Sequence, residues 1–119
     1  MKVFVYGTLR KGEVNASLLD GAICLGACTL QSGFRLFDLG DYPAAIISSG
    51  APALVGEVYE ITAETLQVLD ALERYPDLYD RVPVMTPLGE SWVYTYNGCL
   101  ANIAPISNGD WCQTKHRAS

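Results

Sequence analysis

The chain has 119 residues, 50% of them hydrophobic, and thirteen acidic residues against eight basic ones give a net charge of −5. This length fits one domain over residues 1–119, and the apolar content is too high for intrinsic disorder. The negative charge argues against nucleic acid as a partner. Because the single histidine, His116, cannot supply a multi-histidine site, we expect neither a metal nor another cofactor.

The subcellular location of the protein is inferred from the cysteines and from the hydropathy pattern. Cys24 and Cys28 would lie about 13 Å apart on a strand, too far for a disulfide. None of the four cysteines, which also include Cys99 and Cys112, belongs to a C-x-x-C pair. The N-terminus lacks the apolar stretch of a signal peptide, and no window approaches the roughly 20 apolar residues of a membrane span. We therefore expect a cytoplasmic protein with free thiols and no membrane partner.

Most of the chain carries strand signals. The β-branched and aromatic run Val3–Tyr6 predicts a first strand that ends in a loop over Gly7–Gly12. A short helix is predicted at Asn15–Leu19. Weak periodicity after about residue 98 predicts a loosely structured C-terminal tail. Further strands, separated by glycine-containing turns, are predicted at Ala22–Leu30, Phe34–Leu39, Pro43–Ile47, Ala53–Ile61, Leu78–Met85 and Ser91–Tyr96.

One longer helix is predicted in the second half of the chain. Thr62 is a suitable N-cap, and Ile61 with Leu66 forms a hydrophobic staple. The helix would extend from Ala63 to about Arg74, because the residue before Pro76 avoids the helical region. Many short strands with one or two helices, not in βαβ order, predict an α+β fold whose mixed sheet curls toward a barrel.

Glu73 is the first candidate for chemistry. At about 100° per residue, it lies between Leu66 and Leu69 on the apolar stripe of the helix. Partial desolvation and the negative end of the helix dipole would both raise its pKa toward neutrality, which is typical of a general base. The alternative is that Glu73 turns into water or forms an ion pair with Arg10 or Arg81.

Two further segments are candidates for a binding site. A glycine directly after a strand lets backbone amides of the Gly7–Gly12 loop approach a small anion or carbonyl. Glu13-Val14 replaces the Lys-Ser/Thr pair of a phosphate-binding loop, which excludes nucleotide hydrolysis, and a simple tight turn is the alternative. Tyr79 and Arg81 share one face of a predicted strand, where an ion pair from Arg81 to Glu73 or Asp70 is the alternative.

Six short motifs, taken together and in order, resemble the γ-glutamylcyclotransferase-like (AIG2-like) family over about residues 2–97. The final Asn108-Gly109-Asp110-Trp111 resembles the ending of small bacterial members. The six motifs are Val3-Phe4-Val5-Tyr6-Gly7-Thr8-Leu9-Arg10-Lys11-Gly12, Tyr42-Pro43-Ala44, Val55-Gly56-Glu57-Val58-Tyr59, Leu69-Asp70-Ala71-Leu72-Glu73, Tyr79-Asp80-Arg81-Val82 and Trp92-Val93-Tyr94 with Tyr96.

The resemblance implies a small mixed-strand barrel with flanking helices and a small-molecule γ-glutamyl compound as partner. It implies a reaction in which a γ-glutamyl amide closes on itself, giving 5-oxoproline and a free amine. Glu73 would be the general base and the loop from Tyr6 to Leu9 would hold the substrate. The full set of substrate-binding candidates is Tyr6, Gly7, Thr8, Leu9, Arg10, Tyr79 and Arg81.

One position departs from the family pattern. Members often have glycine after the glutamate, whereas this chain has Arg74, which affects the rim of the expected pocket. Two other functions remain open at this point. The first is a non-catalytic module that binds a small carboxylate-bearing metabolite. The second is a partner protein that exposes the aromatic face of Trp92, Tyr94 and Tyr96, although such a face is more often part of a core.

Overall fold

The computed structural model describes residues 1–31, 33–50 and 53–113. His116 therefore lies outside the described residues. Within them the α+β class is confirmed, with the helix α1, a short 3₁₀ helix, a helical stretch at residues 111–113 and eight strands. In chain order these are β1 (Lys2–Val5), the 3₁₀ helix (Ala16–Leu19), β2 (Ile23–Leu30), β3 (Gly33–Asp38), β4 (Pro43–Ser48), β5 (Leu54–Glu60), α1 (Ala63–Glu73), β6 (Tyr79–Thr86), β7 (Gly89–Tyr96) and β8 (Pro105–Ile106).

The strands form two sheets. A five-stranded mixed sheet has the order β2-β5-β1-β7-β6, in which β1 lies parallel to β7 and the other neighbours are antiparallel. A second, antiparallel sheet has the order β4-β3-β8. The edge strands β2 and β6 of the larger sheet contact each other, so this sheet curls as the sequence predicts. Across the described ranges no strand pairing closes it into a ring.

Strand β1 is buried on both faces because two separate cores cover it. Phe4 and Tyr6 point into a core between the two sheets, whereas Val3 and Val5 point into a core beneath α1. This alternation follows from the period of two residues along a strand. A strand covered on both sides needs apolar side chains at every position, which explains the continuous run in the sequence.

Helix α1 begins and ends for different reasons. The Thr62 hydroxyl accepts the Thr65 amide at 3.2 Å, which confirms the predicted N-cap. The helix ends at Glu73 because Arg74 adopts a left-handed conformation, φ 55° and ψ 44°, and its amide turns back to the carbonyls of Asp70 and Ala71. The buried residues of the helix are Leu66 and Leu69, the two leucines predicted to flank Glu73, whereas Val68 and Leu72 are exposed.

The segment 105–113 is packed, so a loosely structured tail does not describe it. Strand β8 pairs with β3, and the Trp111 side chain is fully buried in the core between the sheets. Its indole Nε1–H donates to Asp38 Oδ1 at 3.0 Å. The buried residues Ile106 and Trp111 order this segment without forming a periodic apolar pattern, which is why no strand is predicted here from the sequence. Residues 114–119 lie outside the described ranges.

All four cysteines are free, as the sequence predicts. In the part of the chain that the structure describes, no helix combines the length and hydropathy needed to cross a membrane. The same residues contain no group of three or more His, Cys, Asp or Glu side chains that could hold a metal ion.

Candidate active site

A small cavity of about 40 Å³ lies where β1 ends and its chain turns at Gly7. This volume has room for roughly three water-sized groups. The start of β4, the last residue of α1 and two tyrosines of β6 and β7 complete its wall. The cavity brings together six of the predicted site residues, namely Tyr6, Gly7, Thr8, Leu9, Glu73 and Tyr79.

Glu73 provides the carboxylate of this cavity. Its side chain is half-buried, and burial raises its pKa from the ordinary value of 4.5 to about 7. The ion pairs considered as alternatives do not form, because Arg10 pairs with other carboxylates and so does Arg81. A carboxyl group with a pKa near 7 can both accept and release a proton at neutral pH.

Three buried tyrosines surround Glu73. Burial and the neighbouring Glu73 charge raise the pKa of Tyr6, Tyr79 and Tyr94. Each hydroxyl also donates a hydrogen bond: Tyr6 to the Tyr94 carbonyl at 2.7 Å, Tyr79 to the Pro43 carbonyl at 2.6 Å, and Tyr94 to Asp70 Oδ1 at 2.7 Å. These tyrosines are neutral at physiological pH, so Glu73 is the group of the cavity wall that titrates near neutrality.

The loop after β1 forms part of the cavity wall through Gly7, Thr8 and Leu9. The Arg10 amide donates to the Gly7 carbonyl at 3.0 Å, which closes a tight turn. Within the described ranges the amides of Gly7, Thr8 and Leu9 donate to no protein acceptor, so they are available to a ligand. The Asn15 side chain donates to Thr8 Oγ1 at 3.0 Å and the Asn15 amide donates to the Thr8 carbonyl at 2.8 Å, which fixes the loop.

Position 7 requires glycine because of its neighbour. A Cβ atom there would lie 2.5 Å from Pro43 Cγ and 2.7 Å from Pro43 Cδ. The absence of a side chain therefore lets the loop approach the start of β4 closely enough to form the cavity wall.

Arg10 does not line the cavity. Its Nε lies 2.5 Å from Glu57 Oε2 and its Nη1 lies 2.9 Å from Asp110 Oδ1. The Lys11 amide also donates to Glu57, at 3.0 Å. Arg10 thus ties the loop to β5 and to the C-terminal segment. These contacts support the loop, and a substrate-binding role for Arg10 stays a prediction from the sequence.

Arg81 likewise stands behind the cavity. Its Nε and Nη2 donate to the two carboxylate oxygens of Asp70 at 2.9 and 3.1 Å. Its guanidinium lies 4.4 Å from the ring centroids of both Tyr75 and Trp92. The ion pair with Asp70, considered as the alternative for Arg81, is the contact that forms. This side chain braces α1 and does not line the pocket.

The sequence assigned no site role to Tyr42, Pro43 or Tyr94, although all three line the cavity. A signal existed for the first two, since Tyr42-Pro43-Ala44 is one of the motifs that carry the family resemblance. For Tyr94 the sequence pattern indicates only a place on the aromatic face of β7. That face packs in the core beneath α1, which opposes its use as an exposed partner surface.

An outer compartment of about 310 Å³ adjoins the inner cavity. The two share Thr8, Tyr42, Glu73 and Tyr79, so Glu73 lies at their boundary. The outer compartment is further lined by Val14, Asn15, Asp41, Leu72 and Leu78.

The small α+β fold thus places a half-buried carboxylate, Glu73, in one cavity wall with the loop residues Gly7, Thr8 and Leu9. The family described as γ-glutamyl cyclotransferase, AIG2-like, matches residues 3–113. This chain therefore belongs to the AIG2-like γ-glutamyl cyclotransferase family, as the sequence motifs predict.

Several relatives extend this comparison. A Vibrio cholerae protein, provisionally named a γ-glutamylcyclotransferase, is 41% identical over 111 residues, covering 93% of this chain and 95% of its own length. The γ-L-glutamyl-butirosin B γ-glutamyl cyclotransferase of Niallia circulans is 37% identical over 108 residues, covering 80% and 66%. The solution structure of YtfP from Escherichia coli superposes with a TM-score of 0.77 at 36% identity, covering 96% of this chain and 98% of that one.

Proposed function

We propose that this protein is a cyclising γ-glutamyl transferase that releases 5-oxoproline and a free amine from a γ-glutamyl amide. The observation that carries the proposal is Glu73, a half-buried carboxylate with a pKa of about 7, facing a cavity beside unpaired amides. The name of the Niallia relative supports a γ-glutamyl substrate.

The reaction needs little from the protein. Glu73 removes a proton from the substrate's α-ammonium group, and the freed nitrogen attacks the γ-carbonyl carbon. A new C–N bond closes the five-membered ring, and Glu73 passes its proton to the leaving nitrogen as the old amide bond breaks. The second proton of the ring nitrogen then goes to the freed amine, which leaves as an ammonium ion. Because attack is intramolecular, the protein has mainly to hold the folded conformer. A positioned base of this kind contributes about 10²–10⁴-fold to the rate.

The loop amides would bind the negatively charged groups of the substrate. The amides of Gly7, Thr8 and Leu9 can bind the α-carboxylate of the substrate or stabilise the oxyanion that forms at the γ-carbonyl. One oxyanion donor contributes about 10²–10³-fold in kcat. The neutral tyrosine walls exclude water and leave Glu73 as the proton carrier.

Substitution of Glu73 tests the proposal directly. We expect Glu73→Gln to lower kcat by about 10²–10⁴-fold, because the amide cannot accept the proton. The measurement is 5-oxoproline release across a panel of γ-glutamyl amines and γ-glutamyl amino acids. Glu64→Gln, an exposed glutamate in the first turn of the same helix, is the matched control and should keep full turnover.

Two results would contradict the proposal in different ways. Full turnover by Glu73→Gln would remove Glu73 from the mechanism. Stoichiometric binding of γ-glutamyl compounds by the unmodified protein, without any 5-oxoproline, would instead favour a non-catalytic binding module.

A further inference from the structure

We propose that Tyr94 binds the α-ammonium group of the substrate through its hydroxyl oxygen, and that Asp70 positions the hydroxyl for this contact. This inference rests on the proposed function and names the residue that recognises one end of the γ-glutamyl group. The observation that carries it is the direction in which the Tyr94 hydroxyl donates its proton.

The Tyr94 proton is held by a residue outside the lining of the inner cavity. The hydroxyl donates to Asp70 Oδ1 at 2.7 Å. Asp70 is itself fixed, because Arg81 donates to both of its carboxylate oxygens, at 2.9 and 3.1 Å. A tyrosine hydroxyl has one proton to donate and lone pairs that accept. Since Tyr94 lines the inner cavity, with its proton on Asp70 it can only accept a hydrogen bond from a ligand there.

The polar side chains beside Tyr94 are acceptors as well. Tyr6 and Tyr79 line the same cavity and donate their protons to backbone carbonyls, at 2.7 and 2.6 Å. Glu73 accepts no hydrogen bond from any residue of the described ranges. Burial, the hydrogen bond to Asp70 and the charge of Glu73 raise the pKa of Tyr94, so its hydroxyl is close to Glu73 and stays protonated at neutral pH. Together with ionised Glu73, the three tyrosine side chains therefore offer acceptors and no free donor.

This polarity matches an ammonium group. An ammonium nitrogen carries three N–H donors and no acceptor, and a donor that is buried without a partner is costly. Glu73 can accept one of these donors, and the Tyr94 oxygen supplies a second acceptor beside it. The unpaired donors of the cavity belong to the loop, where the amides of Gly7, Thr8 and Leu9 suit the α-carboxylate instead.

Tyr94 differs from the other two tyrosines in the charge of its own acceptor. Tyr6 and Tyr79 donate to neutral carbonyls, whereas Tyr94 donates to a carboxylate. A hydrogen bond to an anion polarises the O–H group and makes its oxygen a stronger acceptor, because hydrogen bonds in a chain reinforce one another. Among the three hydroxyls, that of Tyr94 is therefore best suited to a cation.

The same contact would serve ring closure. Glu73 takes one proton from the α-ammonium group, which leaves two N–H groups and a lone pair on the nitrogen. An N–H group held by Tyr94 fixes the direction of that lone pair, and intramolecular attack depends on such alignment.

Two inert analogues of the substrate test the inference. In the first, L-2-amino-4-(propylsulfonyl)butanoate, a sulfone replaces the γ-carbonyl and no amide bond can break. The second, 4-(propylsulfonyl)butanoate, lacks the α-amino group and is otherwise identical. Isothermal titration calorimetry gives the ratio of their two dissociation constants, which isolates the contribution of the ammonium group.

Tyr94→Phe should lower the preference for the amino analogue by about 10-fold, the effect of removing one hydrogen bond to a charged group. Tyr59→Phe is the matched control, because this tyrosine packs in the core beneath α1 and does not line the cavity. It should keep the ratio of the unmodified protein. A general loss of packing would weaken both analogues equally and leave the ratio unchanged.

Variants of Asp70 test its positioning role. Asp70→Ala frees the Tyr94 proton to turn, so the preference should fall at least as far as in Tyr94→Phe. Tyr94→Phe added to Asp70→Ala should then change the ratio by less than about 2-fold. Asp70→Asn keeps an oxygen that can accept the Tyr94 proton, and should retain more of the preference than Asp70→Ala.

Three results would overturn the inference. They are an unchanged ratio in Tyr94→Phe, an effect of Tyr94→Phe that is as large in Asp70→Ala as in the unmodified protein, and unmodified protein that does not prefer the amino analogue. The proposed function is decided separately, by release of 5-oxoproline from γ-glutamyl compounds. A ratio that depends on Tyr94 without any release of 5-oxoproline would overturn the proposed function alone.

Discussion

At the scale of single residues, Glu73 has an energetic cost as well as a proposed role. The folded chain raises its pKa above the unfolded value, from 4.5 to about 7, because the carboxylate loses solvent. The folded state therefore binds this proton more tightly than the unfolded state does. The resulting stability is fully present below pH 4.5 and is lost as the pH rises through about 7.

Glu73→Gln should remove this pH dependence, since glutamine stays neutral. At pH 8 we expect the variant to have the larger free energy of unfolding, by an amount of the order of 3 kcal/mol, and this advantage should vanish near pH 4.5. Urea denaturation at both pH values measures the difference, with Glu64→Gln as the control. An equal difference at the two pH values would show that Glu73 does not titrate as described.

Arg74 is a second residue whose conformation lowers the stability of the folded chain. Its left-handed conformation, φ 55°, ends α1 and is unfavourable for any residue with a Cβ atom. This conformation explains why glycine suits the position after the glutamate, where this chain departs from the family pattern.

We expect Arg74→Gly to raise the free energy of unfolding by about 1 kcal/mol, because glycine adopts this conformation without strain. Arg74→Ala keeps the strain but removes the long side chain, and serves as the comparison in thermal or urea denaturation. The interpretation is wrong if the alanine variant is as stable as the glycine variant.

At the scale of elements, Asp70 joins α1 to two strands. It accepts two hydrogen bonds from Arg81 of β6 and one from the Tyr94 hydroxyl of β7. Because Asp70 lies one helical turn before Glu73, these bonds fix the end of the helix against the sheet. The ion pair is mostly shielded, with side chains 15% and 20% exposed.

A double-mutant cycle tests this junction. Asp70→Asn should destabilise the protein by about 1–3 kcal/mol, because the half-buried guanidinium loses its counter-charge. Arg81→Met keeps apolar contact with Tyr75 and Trp92 and removes the charge. The double variant should therefore be more stable than the sum of the single losses predicts, by at least about 0.5 kcal/mol in urea denaturation. Strictly additive losses would contradict the coupling.

The elements show how far local pattern can predict this structure. The strands, the Thr62 cap and the position of Glu73 follow from the order of apolar and polar residues along a few turns. The inner cavity could be predicted only in part. Its wall depends on pairings such as Tyr79 with Pro43, 36 residues apart, which leave no periodic trace in the sequence.

The arginines illustrate the same limit. Arg10 and Arg81 have the charge expected of residues that bind an anionic substrate, and the sequence cannot distinguish that role from an ion pair. The choice is made by tertiary neighbours, since Glu57 and Asp110 reach Arg10 from positions 47 and 100 residues away.

At the scale of the whole molecule, the segment 105–113 completes the core. Trp111 fills the space between the two sheets, and the adjacent Asp110 holds Arg10 of the cavity loop. The Gly109 carbonyl also accepts the Val55 amide at 2.9 Å. The end of the described chain thus supports both the core and the loop that faces the cavity.

Trp111→Ala should lower the free energy of unfolding by about 3–5 kcal/mol, because it leaves a cavity in the core between the sheets. Trp111→Phe keeps an aromatic ring, loses the hydrogen bond to Asp38, and should cost clearly less. Thermal unfolding followed by circular dichroism compares the two variants. Equal losses would mean that the hydrogen bond, and not the packing, holds this segment.

The contact between Gly7 and the Pro43 ring also bears on how this protein can evolve. Every one-step codon change at position 7 that alters the residue adds a Cβ atom, and that atom collides with a ring 2.5 Å away. The cavity wall could make room for this atom only if Pro43 moved, yet the Pro43 carbonyl accepts a hydrogen bond from the Tyr79 hydroxyl. Viable change at position 7 would therefore require at least two simultaneous substitutions, whereas the exposed side of the outer compartment can diversify one residue at a time.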